Sequence, residues 1–414
     1  MSHRVLTFAH GSPEFSRGGA ETAAHALAGA YRAHPEVERS VFVGRHDNGR
    51  GATGRLIPLR PDEYLYEQAI DDWFRLQSAN PEAMLDGLAD LARALRPTII
   101  HLHHYIHVGL EMIRVLRRAA PGARILLTLH EYIAICENQG QMIKTGSMDL
   151  CRRSGLEACH RCFPARSPED FWLRRHRILR YFDDVDLFVA PSEFLRGRYV
   201  DWGLAPDRIV TLENGQPPMA PLPPRPLGPG EGRGRFGYFG QITPYKGIET
   251  VLRALAAVPP EARGGITLEV NAAEMRHQPD GLRERIDDLL RPLEAQGSVQ
   301  WRGAYEPDQM AERLATVDWV VVPSVWWENS PMVIQEAFGH GRPVVCSDIG
   351  GMAEKVADEV DGVHVPMGSR SAWSAALRRL AAPDAAAGWD RLRAGITPPP
   401  TAAQQVERLL ELAG

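Results

Sequence analysis

Two glutamates eight positions apart, Glu328 and Glu336, have the spacing and surroundings of a ligand-binding pair. Ser330 and Pro331 are predicted to be the N-cap and the first residue of a helix over Met332–Gly339. The free amides and the dipole at a helix N-terminus favour a phosphate, and carboxylates beside them favour hydroxyl groups. Phosphate combined with a polyol is the chemistry of a nucleotide sugar. The alternative is that both glutamates are solvated surface carboxylates.

A glycine-bounded loop earlier in the chain offers a cation for the same phosphate. The apolar run 236–239 is predicted to be a strand, and Gly240 follows it, with Lys246 and Gly247 just before a predicted helix. The glycines allow the backbone to approach a ligand closely, and the lysine supplies a point charge. Taken by itself, Lys246 is better explained as a surface lysine.

Together, the Glu-x7-Glu pair and the Lys-Gly loop resemble the donor site of the retaining glycosyltransferases of family 4, which have the GT-B fold. The resemblance implies that Glu328 binds the hydroxyls of the donor sugar, Glu336 the ribose and Lys246 the diphosphate. It also places three further residues in the donor site: Asn329, Ser330 and Pro331. The implied donor is a UDP-, GDP- or other nucleotide-diphosphate sugar. The implied acceptor is a glycan, lipid-linked or small-molecule hydroxyl in the biosynthesis of a polysaccharide or another glycoconjugate.

The first half of the chain agrees with this resemblance in the order of its motifs. The segment 16–21 is similar to the family's N-terminal glycine loop, which implies that Gly18 and Gly19 lie near the diphosphate and the acceptor. His130 follows an apolar run and resembles the family histidine near the reacting sugar. The residues implied to act in catalysis are therefore His130, Glu328 and Lys246. In isolation, an ordinary turn explains the glycine segment better, and a hydrogen-bonded core residue explains His130 better.

Gln241 departs from the family pattern, because an arginine usually follows the glycine in the diphosphate loop. One cationic contact to the leaving group is thus missing, and a charged hydrogen bond is about twice as strong as a neutral one. A catalytically silent protein that binds a nucleotide or a glycan is therefore the alternative function. A nicotinamide-dependent dehydrogenase is disfavoured, because the nearest Gly-x-Gly pattern, 230–234, does not lie between a strand and a helix.

Four of the five cysteines are clustered: Cys136, Cys151, Cys159 and Cys162. A Cys-x-x-Cys pair with two further thiols nearby is compatible with a tetrahedral structural zinc site. An iron–sulfur cluster, disulfides and unrelated thiols are the alternatives, and His160 is a possible substitute ligand. The family resemblance implies no catalytic metal.

Alternating apolar runs and helical patterns predict an α/β protein with two Rossmann-like domains that face each other across a cleft, as in the GT-B fold. A stretch rich in proline and glycine separates the two patterns and is predicted to be a linker. The predicted boundaries are 1–215 for the acceptor domain with a cysteine-rich insertion at 136–165, 216–235 for the linker, 236–395 for the donor domain, and 396–414 for a C-terminal helix that could pack on the first domain.

The composition of the 414 residues is that of a globular protein, with 44% hydrophobic residues and a formal net charge of −5. This charge gives no reason to expect nucleic acid as a partner. No apolar run approaches the roughly 20 residues of a membrane span, and no signal peptide is predicted, so we expect a cytoplasmic protein. The basic amphipathic segment 171–182 is compatible with peripheral contact with the inner face of a membrane or, alternatively, with a helix packed on the protein.

Overall fold

The computed structural model describes residues 2–16, 18–46, 52–273, 275 and 278–414. The chain divides into two compact units. The first comprises Met1–Pro217 together with Pro400–Gly414, and the second comprises Pro218–Pro399. Both units are built from parallel strands and helices in alternation.

The first unit contains ten strands and seven helices in the described part of its N-terminal segment. The strands are β1 His3–Ala9, β2 Val37–His46, β3 Leu56–Arg60, β4 Glu63–Glu67, β5 Ile70–Asp72, β6 Gln77–Ser78, β7 Ile99–Leu102, β8 Arg124–Thr128, β9 Leu187–Ala190 and β10 Ile209–Thr211. The helices are α1 Gly19–Ala33, α2 Ala83–Asp86, α3 Leu88–Leu95, α4 Glu111–Ala119, α5 Leu156–Cys162, α6 Pro168–Phe182 and α7 Glu193–Trp202.

Eight of these strands form one sheet in the order β10-β9-β8-β7-β1-β2-β4-β3. All neighbours are parallel except β3 and β4, which pair antiparallel at the edge. The central strands β7 and β8 are buried along almost their whole length, as expected for a parallel sheet covered on both faces. The order reverses between β1 and β7, and a ligand of an open parallel sheet binds at the carboxyl ends of the strands beside such a reversal.

The second unit contains six strands and eight helices in its described residues. The strands are β11 Arg235–Phe239, β12 Thr267–Asn271, β13 Val299–Trp301, β14 Trp319–Val322, β15 Val344–Ser347 and β16 Gly362–Val365. The helices are α8 Ile248–Ala256, α9 Pro260–Arg263, α10 Asp280–Ala295, α11 Met310–Ala315, α12 Met332–Gly339, α13 Gly350–Lys355, α14 Arg370–Ala381 and α15 Ala386–Gly395.

Their order, β13-β12-β11-β14-β15-β16, is that of a Rossmann sheet, and all the pairs are parallel. Side chains on β14 alternate between two hydrophobic clusters: Trp319 and Val321 belong to one, and Val320 and Val322 to the other. Both faces of the sheet are therefore covered, and ligands have access at its strand ends. The order reverses between β11 and β14.

The last helix, α16 Ala402–Ala413, belongs to the first unit. A capping box between Thr401 and Gln404 starts it. Its apolar face, including Val406 and Leu409, shares a buried cluster with Leu27 and Tyr31 of α1. The chain thus returns to its N-terminal sheet after the second unit.

The proline-rich stretch between the two α/β patterns lies mostly within the second unit. Arg225 donates to the buried carboxylate of Asp318 at 3.0 Å, and Arg342 donates to the carbonyl of Pro223 at 2.9 Å. These hydrogen bonds attach the proline-rich stretch to the second unit, although its prolines cannot themselves donate backbone hydrogen bonds. Separately, no helix of the described residues is long and apolar enough to cross a membrane.

Candidate donor and acceptor sites

Lys246 and Glu328 meet at the point where the strand order of the second sheet reverses. Lys246 lies in the loop after β11, and Glu328 lies in the loop after β14. The Lys246 Nζ atom donates to Glu328 Oε1 at 2.7 Å. These residues lie 82 positions apart in the sequence, and the parallel pairing of β11 with β14 brings their loops together.

Gly247 allows this approach. Its φ is +72°, a left-handed conformation that suits glycine, and it caps the N-terminus of α8. A side chain at this position would collide with the carbonyl oxygen of Pro323 at the end of β14. The loop of Lys246 is therefore pressed against the loop of Glu328, and any other residue at position 247 would push the two apart.

Glu328 is 6% exposed, and three donors converge on its Oε1 atom. They are Lys246 Nζ, Ser324 Oγ at 2.7 Å and Trp326 Nε1 at 2.9 Å. Burial opposes ionisation of this carboxyl, but the Lys246 ammonium and the hydrogen bonds outweigh burial and lower its pKa below the ordinary value. In the described part of the chain, every hydrogen bond recorded for this side chain is made by Oε1, which leaves Oε2 available to a ligand.

Two adjacent glycines, Gly350 and Gly351, also contact the backbone of the Glu328 loop. Gly351 N donates to the carbonyl of Glu328 at 2.8 Å, and a side chain at Gly351 would collide with the Asn329 carbonyl. Gly350 adopts a φ of +61° and has the Glu328 backbone beside it. This contact of Gly350 and Gly351 with the Glu328 loop was not predicted, although two adjacent glycines after β15 indicate a close backbone approach.

The helix α12 begins at Met332 and ends at Gly339, as predicted, but its N-cap was predicted wrongly. Pro331 occupies the N-cap position, and no side chain caps the helix. Ser330 therefore lies one residue outside the cap, where its hydroxyl cannot reach the first turn. Its Oγ atom is buried and, among the described residues, has no hydrogen-bond partner. A buried hydroxyl beside the free amides of a helix N-terminus is suited to an anionic ligand.

Glu336 lies on α12, and burial raises its pKa to about 7. Its charge contributes to the raised pKa of Tyr305, so the two side chains are electrostatic neighbours. Gln241, by contrast, is exposed, and its backbone carbonyl accepts from the Tyr238 hydroxyl at 2.7 Å. Gln241 therefore lies at the end of β11, as its sequence position requires.

Imidazoles gather at the corresponding reversal point of the first sheet. His10 follows β1, His103 and His104 follow β7, and His130 follows β8. A nitrogen–nitrogen hydrogen bond of 3.1 Å joins His103 Nδ1 to His130 Nε2, so one ring donates and the other accepts. Burial, together with neighbouring imidazoles, lowers the pKa of His130 to about 3. This cluster is therefore neutral at physiological pH.

His104 has a tautomer fixed by the backbone. Its Nδ1 atom accepts from the amides of Tyr105 and Ile106, so its proton resides on Nε2, which lies 3.4 Å from Glu131 Oε1. Burial raises the pKa of Glu131 to about 8. Within the described residues, His103 Nε2 and His10 Nδ1 are buried and have no hydrogen-bond partner. Of these histidines only His130 was predicted, although the run His101-x-His103-His104 at the end of a strand indicates the others.

Gly18 and Gly19 lie at the start of α1, where Glu21 organises the loop. Glu21 Oε1 accepts from Ser16 Oγ at 2.7 Å and lies 3.4 Å from His10 Nε2. A side chain at Gly18 would displace the Glu21 carboxylate from its present position. Arg17, inside this motif, lies outside the described residues. Glu21 was not predicted as a site residue.

The basic helix α6 has partners for two of its arginines. Arg174 is buried and donates to the carbonyls of Phe74 and Ala134 at 2.8 and 2.6 Å. Arg177 pairs with Glu111. Trp172 and Leu173 on the same helix are exposed, by 48% and 57%. Packing on the protein thus explains the inner face of this helix.

The thiols of Cys136, Cys151, Cys159 and Cys162 line one cavity in the first unit. As placed, no three His, Cys, Asp or Glu side chains of the described chain form a group that could hold a metal ion. His160 Nδ1 is bonded to the carbonyl of Arg166 at 2.6 Å.

Two parallel α/β units, the second with a Rossmann sheet, define a protein of the GT-B fold. A structure of HepE from Anabaena in complex with UDP and glucose is similar over 99% of both chains, with 16% identity and a TM-score of 0.63. Sucrose-phosphate synthase from Thermosynechococcus elongatus is similar over 99% of this chain and 98% of its own, with 18% identity and a TM-score of 0.68. At such identities the likeness shows the fold.

Two family models match the sequence and together cover most of the chain. Residues 17–217 match Glycosyltransferase Family 4, and residues 233–382 match Glycosyl transferases group 1. A D-inositol 3-phosphate glycosyltransferase of Segniliparus rotundus is 34% identical over 150 residues, which are 36% of this chain and 32% of that protein. The curated relatives are matched over 29% to 49% of their own length. Both units are thus similar in sequence to glycosyltransferases of the family 4 type.

Proposed function

We propose that the protein transfers a sugar from a nucleotide-diphosphate sugar to an acceptor hydroxyl, with retention at the anomeric carbon. The observation that carries this proposal is the Lys246–Glu328 pair at the reversal point of the second sheet, with the unpartnered hydroxyl of Ser330 in the adjacent loop. The complex of HepE with UDP and glucose supports a nucleotide-sugar donor. The relatives that act on inositol phosphate or lipopolysaccharide support a glycoconjugate product.

The donor would bind the second unit through hydrogen-bond donors for its diphosphate and carboxylates for its hydroxyl groups. The diphosphate would accept hydrogen bonds from Lys246, Ser330 and the free amides of α12, while carboxylates bind the hydroxyls. Glu328 would accept from the donor sugar through Oε2, since its Oε1 is already occupied by three donors. Glu336 would accept from the ribose.

Departure of the diphosphate leaves positive charge on the sugar ring and negative charge on the leaving group. Lys246 and the α12 amides would neutralise that negative charge, so the proposal requires no catalytic metal ion. The Lys246 ammonium would then contact both Glu328 and the phosphate. The carboxylate that orients the sugar and the leaving group would therefore share one cation. The proposal assigns no protein nucleophile and agrees with attack by the acceptor on the face from which the diphosphate leaves.

The first unit would serve the reacting sugar and the acceptor. Its glycine loop, with Gly18 and Gly19, and the neutral His130 lie at the reversal point of its sheet. The unpartnered nitrogens of His103 and His10 suit a ligand hydroxyl, because neutral imidazole can donate or accept a hydrogen bond. A glycan, a lipid-linked sugar or a small polyol would satisfy this chemistry.

The test begins with a thermal-shift screen of UDP-, GDP- and ADP-sugars, since a bound donor raises stability in proportion to ln(1 + [L]/Kd). With the stabilising donor, release of nucleoside diphosphate and the anomeric configuration of the product are then measured. Glu328→Ala is expected to lower kcat/KM by about 100-fold, roughly 2.7 kcal/mol. The matched control is Glu284→Ala, an exposed glutamate on α10 in the same unit.

A loss of threefold or less in Glu328→Ala would contradict the assignment. Nucleotide binding without hydrolysis or transfer, across a broad acceptor panel, would instead favour a catalytically silent protein. A product with inverted anomeric configuration would contradict the retaining mechanism but not the assignment of the donor site.

A further inference from the structure

The segment between β8 and α6 contains little regular structure for its length. The short helix α5 and a single antiparallel bridge between Ile143 and Leu150 are its described regular elements. Ile133 and Met142 are nevertheless buried. Structureless stretches beyond about 12–15 residues are uncommon in compact domains, so another interaction is expected to hold this one.

Four thiols from three parts of this segment line one cavity of about 390 Å³. Cys136 comes from the loop after β8, Cys151 from the end of the bridged hairpin, and Cys159 and Cys162 from α5. The fifth cysteine, Cys346, is buried on β15 in the second unit. The fold has therefore gathered the four clustered cysteines around one space and left the other apart.

The thiols are close enough to influence one another. Burial raises the pKa of Cys136 to about 11, and both Cys151 and Cys159 add to the rise. Burial also raises the pKa of Cys159, with contributions from Cys151 and Cys162. The sulfurs of Cys136, Cys151 and Cys159 are therefore neighbours around the cavity.

The surroundings of the cavity suit a negative charge. Lys144, Arg152 and Arg153 line the same space. A divalent cation with four thiolates carries a net charge of about −2, which these side chains would offset. Backbone amides of Asn138 and Met142 also donate hydrogen bonds to the Cys136 sulfur.

We propose that Cys136, Cys151, Cys159 and Cys162 bind one zinc ion in a tetrahedral all-sulfur site that fastens this segment. Binding would draw the sulfurs across the cavity to about 2.3 Å from the ion and release the thiol protons. The two cysteines on α5 have the Cys-x2-Cys spacing common in structural zinc sites. This inference does not depend on glycosyl transfer.

The experiment uses the full-length protein, purified without chelators, and combines elemental analysis with thiol titration. We expect one zinc per chain, slow reaction of the four thiols in the native protein, and five free thiols after unfolding in a chelator. Cys159→Ser and Cys162→Ser should each lose most of the zinc. Cys346→Ser is the matched control, because this cysteine lies outside the cavity, and it should retain one zinc per chain.

A second measurement does not depend on the variants folding. Wild-type protein stripped of metal is titrated with Co²⁺, and the intense sulfur-to-cobalt charge-transfer bands of a tetrahedral thiolate site are expected to saturate at one equivalent. Zinc should abolish these bands and protect residues 129–166 from proteolysis. Absence of metal with five free thiols, two disulfides in the purified protein, or the visible absorption of an iron–sulfur cluster would each overturn the proposal.

Discussion

The strand-order reversals of the two sheets lie at equivalent places in two α/β units but differ in electrostatics. In the second unit a buried carboxylate is kept ionised by Lys246 and by two further donors. In the first unit burial keeps a group of histidines neutral and raises the pKa of Glu131 to about 8. The same topology therefore supports a charged site in one unit and a neutral polar site in the other.

The difference follows from the groups that surround the titratable side chains in each site. A carboxylate with an ammonium beside it recovers much of its desolvation cost, whereas imidazoles packed against imidazoles can only become neutral. A charged site suits a diphosphate, and a neutral one suits hydroxyl groups without attracting phosphate. The contrast makes the donor and acceptor assignments testable separately.

Acidification is expected to have the largest effect and to act on the first unit. The pKa values of His101 and His130 are lowered to about 3, so the stability they contribute is complete above about 6.5 and is lost as the pH falls toward 3. At pH 5 each such neutral imidazole costs up to about 2 kcal/mol relative to the unfolded chain. Glu131 titrates in the opposite sense, since its contribution is lost as the pH rises from about 4.5 through 8, but it is a single group.

Hydrogen exchange at pH 7 and pH 5, corrected for the intrinsic rate, measures this difference. Peptides of β7 and β8 should lose protection at pH 5. Peptides of β11 and β14 should not, because the lowered pKa of Glu328 keeps its ion pair intact at that pH. Equal changes in both sheets would remove the electrostatic distinction between the two units.

Double-mutant cycles should give the next largest difference. In the second unit, Lys246→Met and Glu328→Gln are expected to show a coupling energy of about 2 kcal/mol, below that of a fully buried pair because Lys246 is 35% exposed. In the first unit, His103→Gln and His130→Gln should couple by about 1 kcal/mol, as for a neutral hydrogen bond. Unfolding free energies at pH 7 provide the measurement, and a larger coupling between the histidines would reverse the comparison.

Nucleotide affinity should change modestly with pH through Glu336. Because burial raises its pKa to about 7, the carboxylate that would accept from the ribose is mostly protonated at pH 6 and mostly ionised at pH 8. If only the ionised form binds, the Kd should be about tenfold higher at pH 6 than at pH 8. Calorimetry with the nucleoside diphosphate measures it. The control, Glu336→Gln, should bind more weakly with little dependence on pH, and an unchanged dependence in that variant would exclude Glu336 as its source.

Local patterns were sufficient for several elements of the second unit. The helix α12 was predicted with the bounds that the structure gives, and the predicted strand 236–239 lies within β11. The cap was not, since Pro331 takes the position predicted for Ser330. Strands β2 to β6 were not identified. β5 and β6 are only three and two residues long, and β3 has no fully buried residue, whereas β2 is long and mostly buried and its omission has no such reason.

The sequence by itself determined which chemical groups are available: the glutamate pair, the Lys-Gly loop, the histidines and the clustered cysteines. It also determined the alternation of strands and helices, since hydrophobic periodicity is a local property. Only the tertiary structure decided that Lys246 neutralises Glu328, that His103 contacts His130, and that four thiols share one cavity. These contacts join residues far apart in the chain, and their charge states depend on burial, which no local pattern specifies.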